Sequence, residues 1–181
     1  MFVQIQNTPN PNSLKFLPGK KVSEVGPIEI LDINKSNNEL VKNILSIHGV
    51  RGIFLYEDFL SVNKKSDTDW SDIKHVVISY INDFYDKGNV SVINKSLNKK
   101  ASDNNLGEIE KKIIHVLETK VRPAVSKDGG DIIFKDFKDG KVTVKLQGSC
   151  SGCPSSTLTL KRGVENLLNH YVPEVKEVIS I

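Results

Sequence analysis

The stretch 148–161 has the sequence GSCSGCPSSTLTLK and contains both cysteines of the 181-residue chain, Cys150 and Cys153. Gly152 supplies the flexible residue that a turn between two cysteines needs. Pro154 suits the first turn of a helix, where its missing N–H would have no partner in any case. The stretch therefore predicts a loop that enters a helix and carries two thiols able to point at one centre.

The residues around this loop switch between strand and helix periodicity. Asp139-Gly140, placed between two alternating runs, predicts a tight hairpin turn. The predicted elements of this half, in chain order, are a helix that ends near Asp128-Gly129-Gly130, strands at 131–137 and 141–147, a helix with an apolar face at Leu160, Val164, Leu167, Leu168 and Tyr171, and a strand at 175–181.

The first half of the chain predicts a second small domain. Its predicted elements are strands at 2–6, 14–16 and 28–33, a helix at 38–47, a hairpin over 53–62, and a helix from Trp70 to Phe84 with Asp67 or Asp69 as N-cap. Residues 89–105 are rich in Asn, Ser and Lys, which predicts a flexible linker. We therefore expect an α+β protein of two small α/β-sandwich-type domains joined by a flexible linker, with domains at 1–88 and 106–181.

Composition narrows the class of function. Hydrophobic residues make up 38% and charged residues 26% of the chain, as in ordinary soluble globular proteins. The net charge of +3 is spread as −1 over 1–88, +2 over 89–105 and +2 over 106–181, which predicts no nucleic-acid footprint. No apolar run suggests a membrane partner. The opening residues show neither a secretory nor a transit pattern, so we expect a bacterial cytoplasmic protein, or a mitochondrial matrix protein if the chain is a trimmed mature form.

Two thiols three positions apart, without a secretory signal, point to metal or redox chemistry. A helix N-terminus favours thiolate over thiol, and thiolates suit zinc, copper(I) and iron–sulfur clusters. Such sites take about four protein ligands, and this chain has two cysteines. The remaining ligands then come from a second copy across a two-fold axis or from an outside thiol.

The pattern alone leaves two other interpretations open. One is a thiol–disulfide oxidoreductase that uses the same cysteine pair, and the other is a dimer clamped by zinc. The four histidines, His48, His75, His115 and His170, are scattered along the chain, and we expect none of them to be a ligand. Arg122 has two interpretations, a solvated or capping role and a role in steering a partner or neutralising the charge of a bound group.

Three segments carry a family resemblance. The stretch 148–161 closely resembles the cluster-binding segment of the NifU C-terminal domain. Arg122-Pro123-Ala124-Val125, followed by Asp128-Gly129-Gly130-Asp131, resembles the second signature of that domain. Residues 4–16, QIQNTPNPNSLKF, resemble the opening of the Nfu N-terminal domain. Together these resemblances cover nearly the whole chain apart from the linker, and they identify it as similar to Nfu-type iron–sulfur scaffolds.

The resemblance implies a function. It implies a carrier that binds a 4Fe-4S cluster, with 2Fe-2S or zinc as less favoured cargo, at Cys150 and Cys153 shared across a homodimer. It also implies partners upstream in the assembly machinery and apo-protein clients such as aconitase-like dehydratases or radical enzymes like lipoyl synthase. No catalytic residue is implied, so we expect no enzyme activity.

Overall fold

The computed structural model describes residues 2–94, 106–152 and 154–181, with the backbone alone for 154–156. The chain divides into two compact units, Met1–Lys99 and Lys100–Ile181. Each unit has its own sheet and its own apolar core. The predicted α+β class with two small domains is confirmed. Residues 95–105 of the predicted linker lie outside the described residues.

The first unit is built on an antiparallel five-stranded sheet in the order β1-β2-β5-β4-β3. Its elements are β1 (Gln4–Asn7), β2 (Ser13–Leu17), β3 (Ile28–Ile30), α1 (Glu39–Leu45), β4 (Val50–Leu55), β5 (Leu60–Lys64) and α2 (Trp70–Asp86). Strand β3 is shorter than predicted, because the Asp32 side chain accepts a hydrogen bond from the Asn34 N–H and starts a 3₁₀ turn at Ile33–Lys35.

The helices of the first unit begin at side-chain caps. The Asn38 side chain accepts from the Val41 N–H at 3.2 Å, and the Asp69 side chain accepts from the Ser71 N–H at 2.9 Å. These bonds satisfy backbone donors that the first helical turn leaves unpaired. Hydrogen bonding from Ser71 holds the pKa of Asp69 below its usual value. Of the two N-cap candidates for α2, the structure uses Asp69.

Residues 9–12, Pro-Asn-Pro-Asn, form a turn that is hydrogen-bonded to other elements of the first unit. Asn10 is 2% exposed, and its side chain accepts from the Asn12 N–H at 2.9 Å. The Trp70 indole N–H donates to the Pro11 carbonyl at 2.9 Å, and the Lys64 ammonium donates to the Asn12 side chain at 3.0 Å. These contacts join the β1–β2 connection to α2 and β5, so they give the segment a structural role within the first unit.

Residues 91–93 fall inside the segment predicted as a linker, yet the structure places them against the first unit. Val92 and Ile93 are 4% and 9% exposed and belong to its core. Their N–H groups donate to the Val22 carbonyl at 2.9 and 3.1 Å, and the Glu24 N–H donates to the Ile93 carbonyl at 2.9 Å. The β-branched side chains of Val92 and Ile93 therefore anchor this short part of a polar segment in the core of the first unit.

The second unit has a three-stranded sheet in the order β6-β7-β8. Its elements are α3 (Glu108–Val116), a π-helical turn (Leu117–Val121), α4 (Arg122–Lys127), β6 (Gly130–Lys138), β7 (Lys141–Gly148), α5 (Pro154–Tyr171) and β8 (Glu177–Ser180). Strands β6 and β7 are antiparallel, and β8 pairs with β7 in parallel. The Asp139-Gly140 turn has φ values of 52° and 79°, as the predicted tight hairpin requires.

Two features of this unit differ from the predictions. The helix that was predicted to end near Asp128-Gly129-Gly130 is interrupted by the π-helical turn at Leu117–Val121. The apolar periodicity did not indicate this turn. Tyr171 was placed on the buried face of the last helix, but it is 48% exposed. The reason is that α5 ends there and Val172, 1% exposed, fills the core in its place.

Candidate functional site

The two cysteines belong to the loop that joins β7 to α5. Cys150 is 8% exposed, packs within the apolar core of the second unit and has no disulfide partner among the described residues. Cys153 lies outside the described residues. The helix that follows starts at Pro154, as the sequence predicted. The loop therefore connects the carboxyl end of one strand to the N-terminus of a long helix.

The Asp-Gly-Gly turn holds the first part of this loop. The Ser149 N–H donates to the Gly129 carbonyl at 3.2 Å, and the Ser149 hydroxyl donates to the Asp128 carbonyl. The Ser151 hydroxyl donates to the Gly148 carbonyl at 2.9 Å, which closes a local turn. The turn before β6 thus shapes the cysteine loop, and Ser149 is a residue whose role the sequence did not reveal.

Gly130 makes room for the Cys150 side chain. A Cβ atom added at Gly130 would collide with the Cys150 sulfur and would stand 2.8 Å from the Gln147 carbonyl oxygen. No other residue type fits this contact without a shift of the backbone or of the cysteine. The Asp-Gly-Gly-Asp motif was interpreted as a helix stop and turn, and the structure gives its second glycine this further role.

A buried ion pair fixes the start of β6 beside the loop. The Arg122 guanidinium donates to both carboxylate oxygens of Asp131, at 2.9 and 3.0 Å. Asp131 is fully buried, whereas Glu118 makes a longer and exposed contact with Arg122 at 3.6 Å. A two-pronged bond of this kind sets the orientation of both groups. Arg122 therefore has a structural partner that neither of its sequence interpretations named.

Burial decides the protonation of the Cys150 thiol in the described conformation. It raises the pKa of Cys150 to about 11, against a partial opposing effect of the hydrogen bond with Ser149. The negative charges of Asp128 and Asp131 raise this pKa further. The helix N-terminus predicts a thiolate at this site, but in this conformation the pKa of Cys150 is raised instead, because burial disfavours the charged form.

The described side chains do not build a metal site within one chain. Among residues 2–94, 106–152 and 154–181, no three His, Cys, Asp or Glu side chains gather where they could hold a metal ion. The chain has two cysteines in all. A cluster that requires about four protein thiolates would need Cys150, Cys153 and ligands from another molecule.

None of the helices in the described part of the chain combines the length and the apolar character that a membrane crossing requires.

Two family models match the chain, one in each unit. The model described as "Scaffold protein Nfu/NifU N terminal" matches residues 3–88, and the model described as "NifU-like domain" matches residues 113–179. A solved structure of similar type is the solution NMR structure of a NifU-like protein from Saccharomyces cerevisiae. It is 28% identical, covers 52% of this chain and 86% of the yeast chain, and has a TM-score of 0.47.

Curated relatives match the whole length of the chain. The human protein named "NFU1 iron-sulfur cluster scaffold homolog, mitochondrial" is 41% identical over 183 residues, which cover all of this chain and 72% of the human protein. The Arabidopsis thaliana protein named "NifU-like protein 4, mitochondrial" is 43% identical and covers 98% of this chain, which spans 65% of the plant protein. The resemblance inferred from the sequence is confirmed: this chain belongs to the Nfu family of iron–sulfur cluster scaffold proteins.

Proposed function

We propose that this chain is a carrier that binds a 4Fe-4S cluster between two copies of itself, through Cys150 and Cys153 of each copy, and transfers the cluster to apo-proteins. The observation that carries the proposal is the cysteine pair at the β7–α5 junction of a chain that is 41% identical to a named iron–sulfur scaffold. Four thiolates from two chains match the usual ligand number of such a cluster. The cluster is cargo here, because a carrier releases what it binds.

The arrangement of the loop supports a ligand site that can give up its cargo. A loop from each chain would supply thiolates to the cluster, and the thiolates of an acceptor would replace them one by one. Exchange of one thiolate ligand for another needs no bond-making active site in the carrier. The human relative is named as an iron–sulfur cluster scaffold homolog, which is consistent with a binding role.

The upstream assembly machinery would supply the cluster, and apo iron–sulfur proteins would receive it. The first unit, matched by the N-terminal scaffold model, would handle client docking or regulation. The names of the two relatives contain the word mitochondrial, so we favour a mitochondrial location over the bacterial cytoplasm for this chain. Fractionation of the source cells, with the chain followed by antibody, tests that location.

Anaerobic reconstitution with iron and sulfide tests the proposal. We expect a brown protein that elutes as a dimer, with about four irons per two chains, whereas Cys150→Ala and Cys153→Ala should each stay colourless. Asn166→Ala, an exposed position on α5, is the matched control and should reconstitute like the wild type. Mössbauer spectra distinguish a 4Fe-4S from a 2Fe-2S cluster.

A colourless wild-type protein under these conditions would contradict the carrier role. Metal analysis then separates the two other interpretations from each other. Zinc at about one ion per two chains would indicate a structural dimer clamp. A metal-free chain with a titratable dithiol–disulfide couple would indicate an oxidoreductase.

A further inference from the structure

The position of the Cys150 side chain is at odds with ligation. A sulfur that binds a cluster shared between two chains must reach the surface of each chain. In the described conformation Cys150 is instead 8% exposed and lies within the apolar core of the second unit. Its sulfur packs directly on the backbone of Gly130, where a Cβ atom would displace it. The described conformation is therefore one in which Cys150 cannot bind cargo.

We propose that Cys150 alternates between this withdrawn position and an outward, ligating position, and that Gly130 is the residue that makes the withdrawn position possible. This inference rests on the proposed role of Cys150 as a cluster ligand. It adds to that role a conformational step that precedes binding and follows release.

Two glycines allow the loop to move. Gly148 and Gly152 flank the cysteine with φ values of 64° and 80°, in the region that other residues rarely adopt. Glycine passes between the left-handed and right-handed regions at little cost. A Cβ at Gly152 would meet no atom within 4 Å, so the space around this hinge is open. Backbone rotation at Gly152 can carry Cys150 outward, whereas rotation at Gly148 would also break the bonds that Ser149 makes to the Asp128 and Gly129 carbonyls.

The hydrogen bonds of the loop divide it into a fixed and a looser part. Ser149 is tied to the Asp128 and Gly129 carbonyls, which fixes the residue that precedes the cysteine. After the cysteine, the Thr157 hydroxyl donates to the Cys150 carbonyl at 3.4 Å, a long and therefore weak bond. Opening thus costs the apolar contacts of the thiol, its hydrogen bond with Ser149, the Thr157 bond, and the bonds from the Ser151 N–H and hydroxyl to the Gly148 carbonyl.

The withdrawn position of Cys150 favours release of the cluster over its rebinding. In the exchange step, the bond between iron and the Cys150 sulfur breaks and a bond between iron and an acceptor cysteine sulfur forms. The proton lost by the acceptor thiol ends on the Cys150 sulfur by way of water, and the oxidation state of the iron does not change. The resulting neutral thiol can return to the core against Gly130, where it no longer competes for the cargo.

Alkylation of the iron-free, reduced full-length chain tests the two positions. Iodoacetamide modification of Cys150 is followed over time by peptide mass spectrometry, in native buffer and in urea. We expect native alkylation that goes to completion but about tenfold or more slowly than in urea, because local opening must come first. Equal rates in the two conditions would overturn the withdrawn position. A Cys150 that never reacts in native buffer would overturn the outward position.

Substitution of Gly130 tests the residue assigned to the withdrawn position. Gly130→Ala should expel the thiol and raise the native alkylation rate of Cys150 about tenfold, with the rate in urea unchanged. Gly163→Ala on α5 is the matched control, because a Cβ there meets no atom within 4 Å, and its rate should equal the wild-type rate. A folded Gly130→Ala with the wild-type rate would contradict the proposal.

A second variant covers the case in which Gly130→Ala does not fold, which circular dichroism will show. Gly152→Ala adds no clash but strains the described loop, so it should also speed native alkylation of Cys150, and an unchanged rate would contradict the hinge. None of these assays contains iron. Fast wild-type alkylation in a protein that reconstitutes would remove this inference alone. Slow alkylation in a colourless protein would remove the carrier role, and with it the ligating position.

Discussion

At the scale of single residues, the buried position of the Cys150 side chain depends on the backbone of Gly130, at the start of β6. The register Gly130↔Gly148 between β6 and β7 brings Gly130 to the thiol, and burial there raises its pKa. The sequence predicted the loop and the helix that starts at Pro154, and the role of Cys150 and Cys153 as ligands stays a prediction. The sequence did not predict the burial of Cys150, because helix-dipole reasoning considers neighbours along the chain and the burying contact comes across a strand pair.

The protonation of Cys150 gives a prediction on pH. The folded iron-free chain holds this proton more tightly than an ordinary thiol, which has a pKa of 9.0. The thiol therefore stabilises the fold fully below about pH 9, and this contribution is lost as the pH rises through about 11. We expect alkylation of Cys150 in Cys153→Ala to rise steeply towards pH 11, and a profile with its midpoint near 9 would contradict the assignment.

The ion pair between Arg122 and Asp131 gives a prediction on stability. Arg122→Gln leaves a fully buried carboxylate without its bidentate partner, so the second unit should lose about 3 kcal/mol or more. Urea unfolding followed by circular dichroism measures the loss. Trp70, the sole tryptophan of the sequence, lies in the first unit, so its fluorescence transition should not move.

A surface pair provides the matched control for this ion pair. Lys141 and Glu177 stand 3.6 Å apart with side chains 57% and 45% exposed. Because exposed pairs contribute little, Lys141→Ala should change the unfolding free energy by about 0.5 kcal/mol or less. A loss in Arg122→Gln no larger than the loss in Lys141→Ala would show that the buried pair does not hold β6.

At the scale of elements, helix and strand periodicity predicted most of the secondary structure. The alternation of Val142, Val144 and Leu146 with polar residues predicted β7, and Asp139-Gly140 predicted its hairpin. The π-helical turn at Leu117–Val121 was not predicted. Its apolar residues, Leu117 and Val121, are four apart, a spacing that a plain α-helix also shows, so the pattern could not distinguish the two.

The π-helical turn gives a prediction on deletions. Such a turn holds one residue more than an α-helical turn, so removal of the exposed Lys120 should yield a continuous α-helix with Arg122 still facing Asp131. Removal of the exposed Lys112 from α3 should instead rotate the helix that precedes it by about 100° relative to the rest. We expect the first deletion to keep the circular dichroism transition of the second unit and the second deletion to abolish it. Equal loss in both would contradict the register argument.

At the scale of the whole molecule, each unit has an apolar core of its own, one with Phe16 and Ile81 fully buried and one with Ile113 and Leu168 fully buried. The boundaries drawn from the sequence, at residues 88/89 and 105/106, stay a prediction. Composition indicated a linker at residues 89–105 but did not reveal that Val92 and Ile93 are buried in the first core. Short apolar pieces within polar segments find their partners through tertiary contacts that composition does not contain.

The separate cores give a prediction on truncation. Deletion of residues 1–105 should leave a folded second unit that reconstitutes a cluster like the full chain, because both cysteines and their supporting turn remain. Transfer to some apo-protein clients should become slower, since the first unit is proposed to dock them. Transfer rates of the two forms to several clients, with circular dichroism as a check on folding, measure the effect. Unchanged rates for every client would remove the docking role.

The parallel pairing of β8 with β7 has a consequence for biosynthesis. The cysteine loop lies between β7 and α5, but this sheet gains its third strand when residues 177–180 join it. A ribosome that has just made the cysteines has therefore not yet made the strand that pairs with β7 and helps to hold α5, whose Glu165 accepts from the Val178 N–H. The junction between β7 and α5 acquires this part of its support only after the β8 segment emerges, so we expect the proposed cargo loading to follow translation of this unit.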